Sequence, residues 1–307
     1  MRKSRLLVIV SIVVLLFGNA CAQDEGVEAG AKEGPKITVG SANFPESVIL
    51  AEIYAQALEA EGYDVSTKLN IGAREVYFPA LERGDIDVLP EYIGSLVSFM
   101  TEQKVTASPD SAKAYEQLTT ELDKKEGLEA LEYAEAQDKD GIVANKQTAD
   151  EHNLKKVSDL KPIASQLVMG GPPECPTRQA CLKGLKEVYG IELKEFKPLD
   201  VGGPQTVTLL KSNEIQLANL FTTDSRIAAN GFVLLDDDKG IAGAENVLPI
   251  VRSELTEAYG AEFSDLLNSV TAKLTTAGLT ELNKQVDVDK DDPDAVAEGW
   301  LQENGFL

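Results

Sequence analysis

The chain repeats one pattern of strands and helices, and this repeat constrains the fold more than any other feature. In the first copy, an apolar strand at residues 37–41 leads into two alternating helix-like and strand segments, the last strand at 86–89. The second copy starts at residues 166–171 and keeps the same order and nearly the same spacing. An aromatic residue, Tyr92 or Phe221, follows the last strand of each copy. This alternation predicts parallel sheets covered by helices.

We therefore predict an α/β fold with two lobes. Loops at the carboxyl ends of the strands would face each other across a cleft, and such clefts often close on a small ligand. Residues 241–307 hold one apolar strand and helix-like segments, and we expect them to return to the first lobe. The predicted first lobe is 37–139 with 241–307, and the second is 140–240. The alternative is that any two α/β stretches look alike in sequence.

Charge and composition exclude several classes of function. The 307 residues carry a net charge of −22, which repels phosphate backbones and predicts no nucleic-acid partner. The chain has a single histidine, His152, within a polar run, and lacks HExxH and GxxxxGK[ST] motifs. We therefore predict no metal site, no cofactor and no catalytic residues.

The N-terminus has the features of an export signal. Three basic residues precede the apolar run 6–17, which is too short to span a bilayer comfortably. Cys21 follows a small residue, as in a bacterial lipobox, so we predict a lipoprotein signal peptide over 1–21 with lipidation at Cys21. Residues 22–36 have little to bury and predict a flexible tether. A plain secreted protein and a retained membrane anchor are the alternatives.

The two remaining cysteines, Cys175 and Cys181, have five residues between them and leave no odd thiol. Outside the cytosol, such a pair predicts a short disulfide loop.

Polar loops at strand ends are candidates for ligand binding. Residues 41–47, 170–174 and 201–206 are small, polar and followed by helix-like segments, whose free N–H groups favour anions. Arg178 is a candidate partner for a carboxylate, although a surface arginine is the alternative. The aromatic side chains of Tyr92 and Phe221 would offer their faces to a cation. The other interpretation is that both lie in hydrophobic cores.

Three segments carry a resemblance to a known family. Residues 37–47, 80–95 and 221–224 resemble the glycine betaine/choline (osmoprotectant) substrate-binding proteins of ABC importers. The resemblance implies a type II periplasmic-binding-protein fold with a ligand cleft at a hinge. It also implies a receptor that is lipid-anchored at the outer face of the cytoplasmic membrane in Gram-positive cells and serves a permease with its ATPase. Residues 170–176 with Cys181 are similar to an actinobacterial-type branch.

The resemblance also implies which residues face the ligand. In the family, four tyrosines usually surround a trimethylammonium group, and a lysine, a threonine and an arginine usually hold the ligand carboxylate. The positions that match the tyrosines here are Tyr92, Asp140, Phe221, and Glu245 or Asn246. Those that match the carboxylate partners are Ala42, Ser95 and Arg178.

These departures shift the predicted ligand. An acidic side chain can attract a cation directly where a ring is missing, whereas Ala42 cannot hold a carboxylate. We predict a non-enzymatic, monomeric receptor for a quaternary amine or zwitterion such as glycine betaine, choline or carnitine. Another polar amine, or an enzyme that uses Glu46, Asp140 or Asp224, is the alternative. The candidate ligand-binding residues are Ser41, Asn43, Tyr92, Ser95, Asp140, Arg178, Phe221, Thr222, Asp224 and Glu245.

Overall fold

Two five-stranded sheets organise residues 31–307, the part of the chain that this computed structural model describes. The strands are β1 (Ile37–Gly40), β2 (Val65–Lys68), β3 (Val88–Tyr92), β4 (Leu128–Ala130), β5 (Asp140–Ala144), β6 (Val168–Gly171), β7 (Glu195–Pro198), β8 (Leu217–Phe221), β9 (Val233–Leu234) and β10 (Val247–Arg252). The α-helices are α1 (Pro45–Ala60), α2 (Arg74–Glu82), α3 (Ile93–Met100), α4 (Ser111–Leu122), α5 (Lys146–His152), α6 (Leu182–Gly184), α7 (Pro204–Lys211), α8 (Arg226–Ala229), α9 (Ser253–Tyr259), α10 (Ala261–Thr271), α11 (Thr276–Lys284) and α12 (Pro293–Asn304).

The two sheets have the same design. The first has the order β2-β1-β3-β10-β4, and the second has the order β7-β6-β8-β5-β9. In each, the first three strands are parallel and the fourth runs antiparallel to its neighbours. We call the body built on the first sheet the first lobe and the other the second lobe. The predicted α/β fold with two related lobes is confirmed.

The chain crosses between the sheets twice, and the two crossings run side by side. The Asp138 amide donates to the Glu245 carbonyl at 3.0 Å, and the Val247 amide donates to the Ala136 carbonyl at 3.0 Å. The fourth strand of the first sheet is β10, which the chain forms only after its second crossing. The exact lobe boundaries at 139/140 and 240/241 stay a prediction beside these crossings.

Different structures follow the first strand of each lobe. After β1, the sixteen-residue helix α1 begins at Pro45, and proline is well suited to the first position of a helix. The buried face of α1 packs against α10, α11 and α12. After β6, the chain makes a 3₁₀ turn over Cys175–Thr177 and reaches the three-residue helix α6. The predicted disulfide between Cys175 and Cys181 is present there, with a Cα–Cα distance of 5.3 Å.

The predicted signal peptide over 1–21 and its lipidated Cys21 lie outside the described residues. Of the segment 22–36, only the end is described, and it contacts the first lobe. The Lys32 amide donates to the Gly62 carbonyl at 2.8 Å, and the Tyr259 hydroxyl donates to the Pro35 carbonyl at 2.6 Å. Within residues 31–307, no helix is long and apolar enough to cross a bilayer.

Candidate functional site

The cleft between the lobes is a cavity of about 110 Å³ at the carboxyl ends of the central strands. Its walls come from both sheets, because β3 and β8 end on opposite sides of it. The predicted ligand-binding residues that line it are Asn43, Tyr92, Ser95, Asp140, Arg178, Phe221 and Glu245. The fold therefore brings these residues together, as the repeat in the sequence predicts.

Three of the candidate residues lie outside the cleft lining and form hydrogen bonds with other protein groups instead. The Ser41 hydroxyl is buried and accepts from the Asn70 amide at 2.9 Å. The Thr222 hydroxyl donates to Asp138 at 3.2 Å. The Asp224 carboxylate is buried against the Arg226 guanidinium, at 2.7 Å for one N–O pair. Their polar atoms are used in shaping loops, so they are not available to the cavity.

Aromatic rings from both lobes meet in the cleft. Tyr92 and Phe221 are the last residues of β3 and β8, so they hold equivalent positions in the two sheets. The Phe44 ring lies between them, with its centroid 6.1 Å from that of Tyr92 and 4.8 Å from that of Phe221. Both rings line one cavity, and Tyr92 also belongs to the hydrophobic core of the first lobe, so the interpretation as a core residue holds in part for Tyr92.

A buried carboxyl group beneath Tyr92 ties the lobes together. The Glu46 carboxyl accepts hydrogen bonds from the Tyr92 hydroxyl at 2.7 Å and from the Thr223 hydroxyl of the second lobe at 2.6 Å. The Asn283 amide adds a third donor at 2.6 Å. Burial raises the pKa of Glu46, although these hydrogen bonds oppose the rise. Burial and the nearby Glu46 charge raise the pKa of Asp138 well above its usual range.

Two arginines line the cleft, and each is already paired with a protein carboxylate. Arg74 donates through Nε and Nη2 to the two oxygens of Glu91, both at 2.8 Å. Glu91 is fully buried and also accepts from the Tyr77 hydroxyl at 2.9 Å. Arg178, in the second lobe, donates to the carboxylate of Glu75 in α2 at 2.8 Å. Each guanidinium charge is therefore largely compensated.

Four acidic residues of the cleft lining, by contrast, lack a cationic partner. They are Asp138, Asp140, Glu174 and Glu245, and across residues 31–307 no ion pair joins any of them to lysine or arginine. The Glu174 Oε2 atom is also buried without a hydrogen-bond partner among the described atoms. The cleft lining therefore has more acidic than basic side chains, and a bound cation would favour the ionised form of these acids.

Glu245 is the acid whose position the local structure explains best. It accepts from the Ser95 amide at 2.9 Å and from the Ser95 hydroxyl at 3.1 Å, at the start of α3. A Cβ on Gly94 would lie 2.8 Å from the Glu245 carboxylate, so glycine is needed for this approach. Burial raises the pKa of Glu245 to about 8, since the Ser95 amide offsets only part of the cost and Asp140 adds to it.

Several cleft residues were not predicted. They are Phe44, Arg74, Tyr77, Gln103, Asp138, Glu174 and Asn219. Phe44 and Glu174 lie within polar loops at strand ends, which the sequence already identified as candidates for ligand binding. Arg74 and Asp138 carry no such signal, because α2 and the crossing segment face the cleft only once the lobes have packed.

Acidic side chains also bind metals, yet the arrangement here differs from a metal site. Within the described chain, no group of three or more His, Cys, Asp or Glu side chains has the geometry to hold a metal ion. Rings and separated carboxylates instead suit an organic cation, which presents both an apolar surface and a charge.

Two bacterial binding proteins match this chain over most of its length. A glycine-betaine-binding protein of Pseudomonas aeruginosa is 28% identical over 290 residues, which cover 91% of each chain. A carnitine transport binding protein of Listeria monocytogenes is 25% identical and covers 99% of this chain and 98% of its own. The similarity to an actinobacterial-type branch stays a prediction.

Solved structures share the fold. A crystal structure described as a glycine betaine/carnitine/choline ABC transporter matches 88% of this chain and 99% of its own, with a TM-score of 0.70 and 22% identity. Residues 35–303 match the family described as the substrate binding domain of ABC-type glycine betaine transport systems. The match covers both lobes and the cleft between them, and the chain belongs to this family.

Proposed function

We propose that the protein is an extracytoplasmic receptor that captures a small organic cation of the quaternary-amine class and delivers it to the permease of an ABC importer. One observation carries the proposal. Rings from both lobes, Phe44, Tyr92 and Phe221, line a cavity whose acidic residues outnumber its cations. A ligand that is both apolar and positively charged satisfies both features of this cavity.

An ionised carboxylate contributes more energy per contact than an aromatic ring does. A cation over an aromatic face gains about 0.5–2 kcal/mol, depending on how far it is desolvated. A carboxylate about 4 Å from the cation gains about 4 kcal/mol in a medium of effective dielectric constant about 20. Because the rings belong to different lobes, the ligand gains the full energy only when the cleft is closed, and it thereby favours closure.

We propose that the ligand leaves unchanged. The buried carboxyl groups nearest the rings are held by hydrogen-bond donors, as Glu46 is by Tyr92, Thr223 and Asn283. A group that is held in this way positions a ring rather than attacking a substrate. Recovery of the bound cation with its mass unchanged after incubation supports this role, and a modified product contradicts it.

We also propose that the receptor acts as a monomer tethered through a lipid on Cys21. Cys21→Ala should release the protein from the membrane fraction of producing cells. Retention of the variant in that fraction would contradict the anchor without affecting the cleft.

Calorimetry with choline, glycine betaine and carnitine tests the function. We expect at least one to bind the purified protein, and Phe221→Ala to weaken that binding about tenfold, since one ring face is lost. Phe306→Ala is the matched control, because Phe306 stacks on Trp300 outside the cleft. Absence of binding to all three ligands, with the fold intact by circular dichroism, would contradict the proposal.

A further inference from the structure

We infer that Glu75 is a specificity-determining residue, which occupies Arg178 across the cleft and so directs this receptor to cations without a carboxylate. The inference rests on the proposed function, because it names the kind of cation that the same cleft would take. It depends on the pairing of charges between the two lobes, which the family resemblance did not indicate.

The contact joins the two lobes directly. Glu75 lies in the first turn of α2 in the first lobe, and Arg178 follows the 3₁₀ turn of Cys175–Thr177 in the second. The Arg178 Nη2 atom is 2.8 Å from both oxygens of Glu75. The Arg178 side chain is only 16% exposed, whereas that of Glu75 is 51% exposed. A protein carboxylate thus approaches the cleft arginine from the solvent side.

Among residues 31–307, a ligand carboxylate would find no unpaired cation in the cleft lining. Arg74 is paired with the buried Glu91, which also holds Tyr77 and cannot turn away without losing those bonds. Ala42, at the first-loop position, lines the cavity without a charge. The four acidic residues of the cleft lining offer a carboxylate no positive partner, and any of them that is ionised repels it. A cation without a carboxylate avoids both costs.

Neighbouring contacts show that the lobes can meet on this side without help from a ligand carboxylate. The Gln179 amide of the second lobe donates to the Gln103 side chain of the first at 3.0 Å. The Lys183 ammonium donates to the Gln103 carbonyl. Together with the pair between Glu75 and Arg178, these bonds form a seam along one edge of the cleft. Glu75 therefore supplies the negative charge that Arg178 would otherwise take from the ligand.

Choline and glycine betaine test the inference, since they share a trimethylammonium group and differ by the carboxylate. We expect the wild-type protein to bind choline at least tenfold more tightly than glycine betaine. Glu75→Gln keeps the shape of the side chain but frees the Arg178 charge, so it should lower this ratio about tenfold, chiefly by tighter binding of glycine betaine. Glu82→Gln, on the same helix and paired with Lys125 outside the cleft, should leave the ratio unchanged.

A double-mutant cycle isolates the route through Arg178. In an Arg178→Gln background, Glu75→Gln should no longer change the ratio, because no guanidinium is left to free. A wild-type preference for glycine betaine or carnitine overturns the inference. An equal loss of affinity for both ligands in Glu75→Gln also overturns it, since Glu75 would then serve closure alone. Failure of the wild-type protein to bind any cation of the panel overturns the proposed function itself.

Discussion

The two lobes have the same sheet order but present different chemistry at the same point. β3 ends in Glu91 and Tyr92, and β8 ends in Leu220 and Phe221. In the first lobe, the buried carboxylate of Glu91 orients a guanidinium and the hydroxyl of Tyr77. In the second lobe, the equivalent leucine packs into an apolar core. A shared backbone thus decides where the rings lie, and the adjacent side chain decides whether that wall is charged.

The lobes also differ in how they support the wall. The long helix α1 backs the first lobe, and eleven of its residues are buried. The second lobe has only short helical turns there, and the disulfide Cys175–Cys181 lines the cleft itself. The second lobe therefore adds a covalent link to its hydrophobic core at this point, whereas the first lobe relies on the burial of α1.

The largest effect is expected from making the first lobe resemble the second. Glu91→Leu removes the partner of Arg74, whose side chain is only 10% exposed, and leaves a buried charge uncompensated. We expect a loss of about 3–5 kcal/mol in the free energy of unfolding. Denaturant unfolding of wild type and variant measures it.

The control for this change removes both charges. The double variant Glu91→Leu with Arg74→Leu should regain much of the lost stability, because a buried ion pair is often replaceable by apolar residues. A single variant as stable as the wild type would mean that Glu91 contributes no more than Leu220 does.

Loss of the disulfide should have the next largest effect. Replacing Cys175 and Cys181 together by serine should lower the free energy of unfolding by roughly 2–3 kcal/mol, as expected for a short closed loop. Affinity for the ligand should also fall, since both cysteines line the cleft. Thermal melting and calorimetry measure the two effects. Reduced wild-type protein should match the double variant, and an unchanged melting temperature in both would contradict the supporting role.

The two crossing segments each carry an acidic residue, Asp138 and Glu245. The pH dependence of binding tests which of them loses its proton when the cation binds. A bound cation favours the ionised form of Glu245, whose pKa lies at about 8. Affinity for the cation should therefore rise with pH and level off above about 8, by up to tenfold per unit, or about 1.4 kcal/mol. Calorimetry from pH 6 to 9 measures the slope.

The free protein should show the opposite trend. Because folding raises the pKa of Glu245 from 4.5, its contribution to stability is present below that value and is lost as pH rises towards 8. Glu245→Gln should flatten both dependences near pH 8. If the slope of affinity persists in this variant, Asp138 or Asp140 carries the proton instead.

The smallest effect is expected from exchanging the two rings. Tyr92→Phe keeps the ring but removes one donor from buried Glu46, which retains Thr223 and Asn283, so we expect a loss of about 1 kcal/mol in stability. Phe221→Tyr is the reciprocal control and has no equivalent of Glu46 to bind. Chemical denaturation compares the two, and an unchanged free energy of unfolding in Tyr92→Phe would show that the hydroxyl of Tyr92 is unimportant.

Much of the fold was predictable because its signals are local. The apolar positions of α1, the strand β1 with the loop after it, and the helices α10 to α12 all follow from periodicity within one segment. The strand before Tyr92 was less accurately bounded. It was expected at 86–89 and is found at Val88–Tyr92, because it pairs with β10, which lies far away in the chain.

The candidate site was predictable where it follows the repeat and unpredictable where the lobes meet. Tyr92 and Phe221 were found because each ends a strand in one copy of the repeat. The pairs Arg74–Glu91 and Arg178–Glu75 were not found, although Arg178 itself was. The sequence offers many acids as partners, and spacing does not indicate which of them comes within reach.

The sequence by itself determined two α/β lobes, an aromatic residue at the end of a strand in each, and a short disulfide loop, since all of these depend on neighbours in the chain. Only the tertiary structure decided which charges remain unpaired in the cleft. Glu75 and Arg178 are 103 positions apart, and Ser95 and Glu245 are 150 apart. Electrostatic pairing depends on distance in space and on burial, and both exist only after the two lobes have folded against each other.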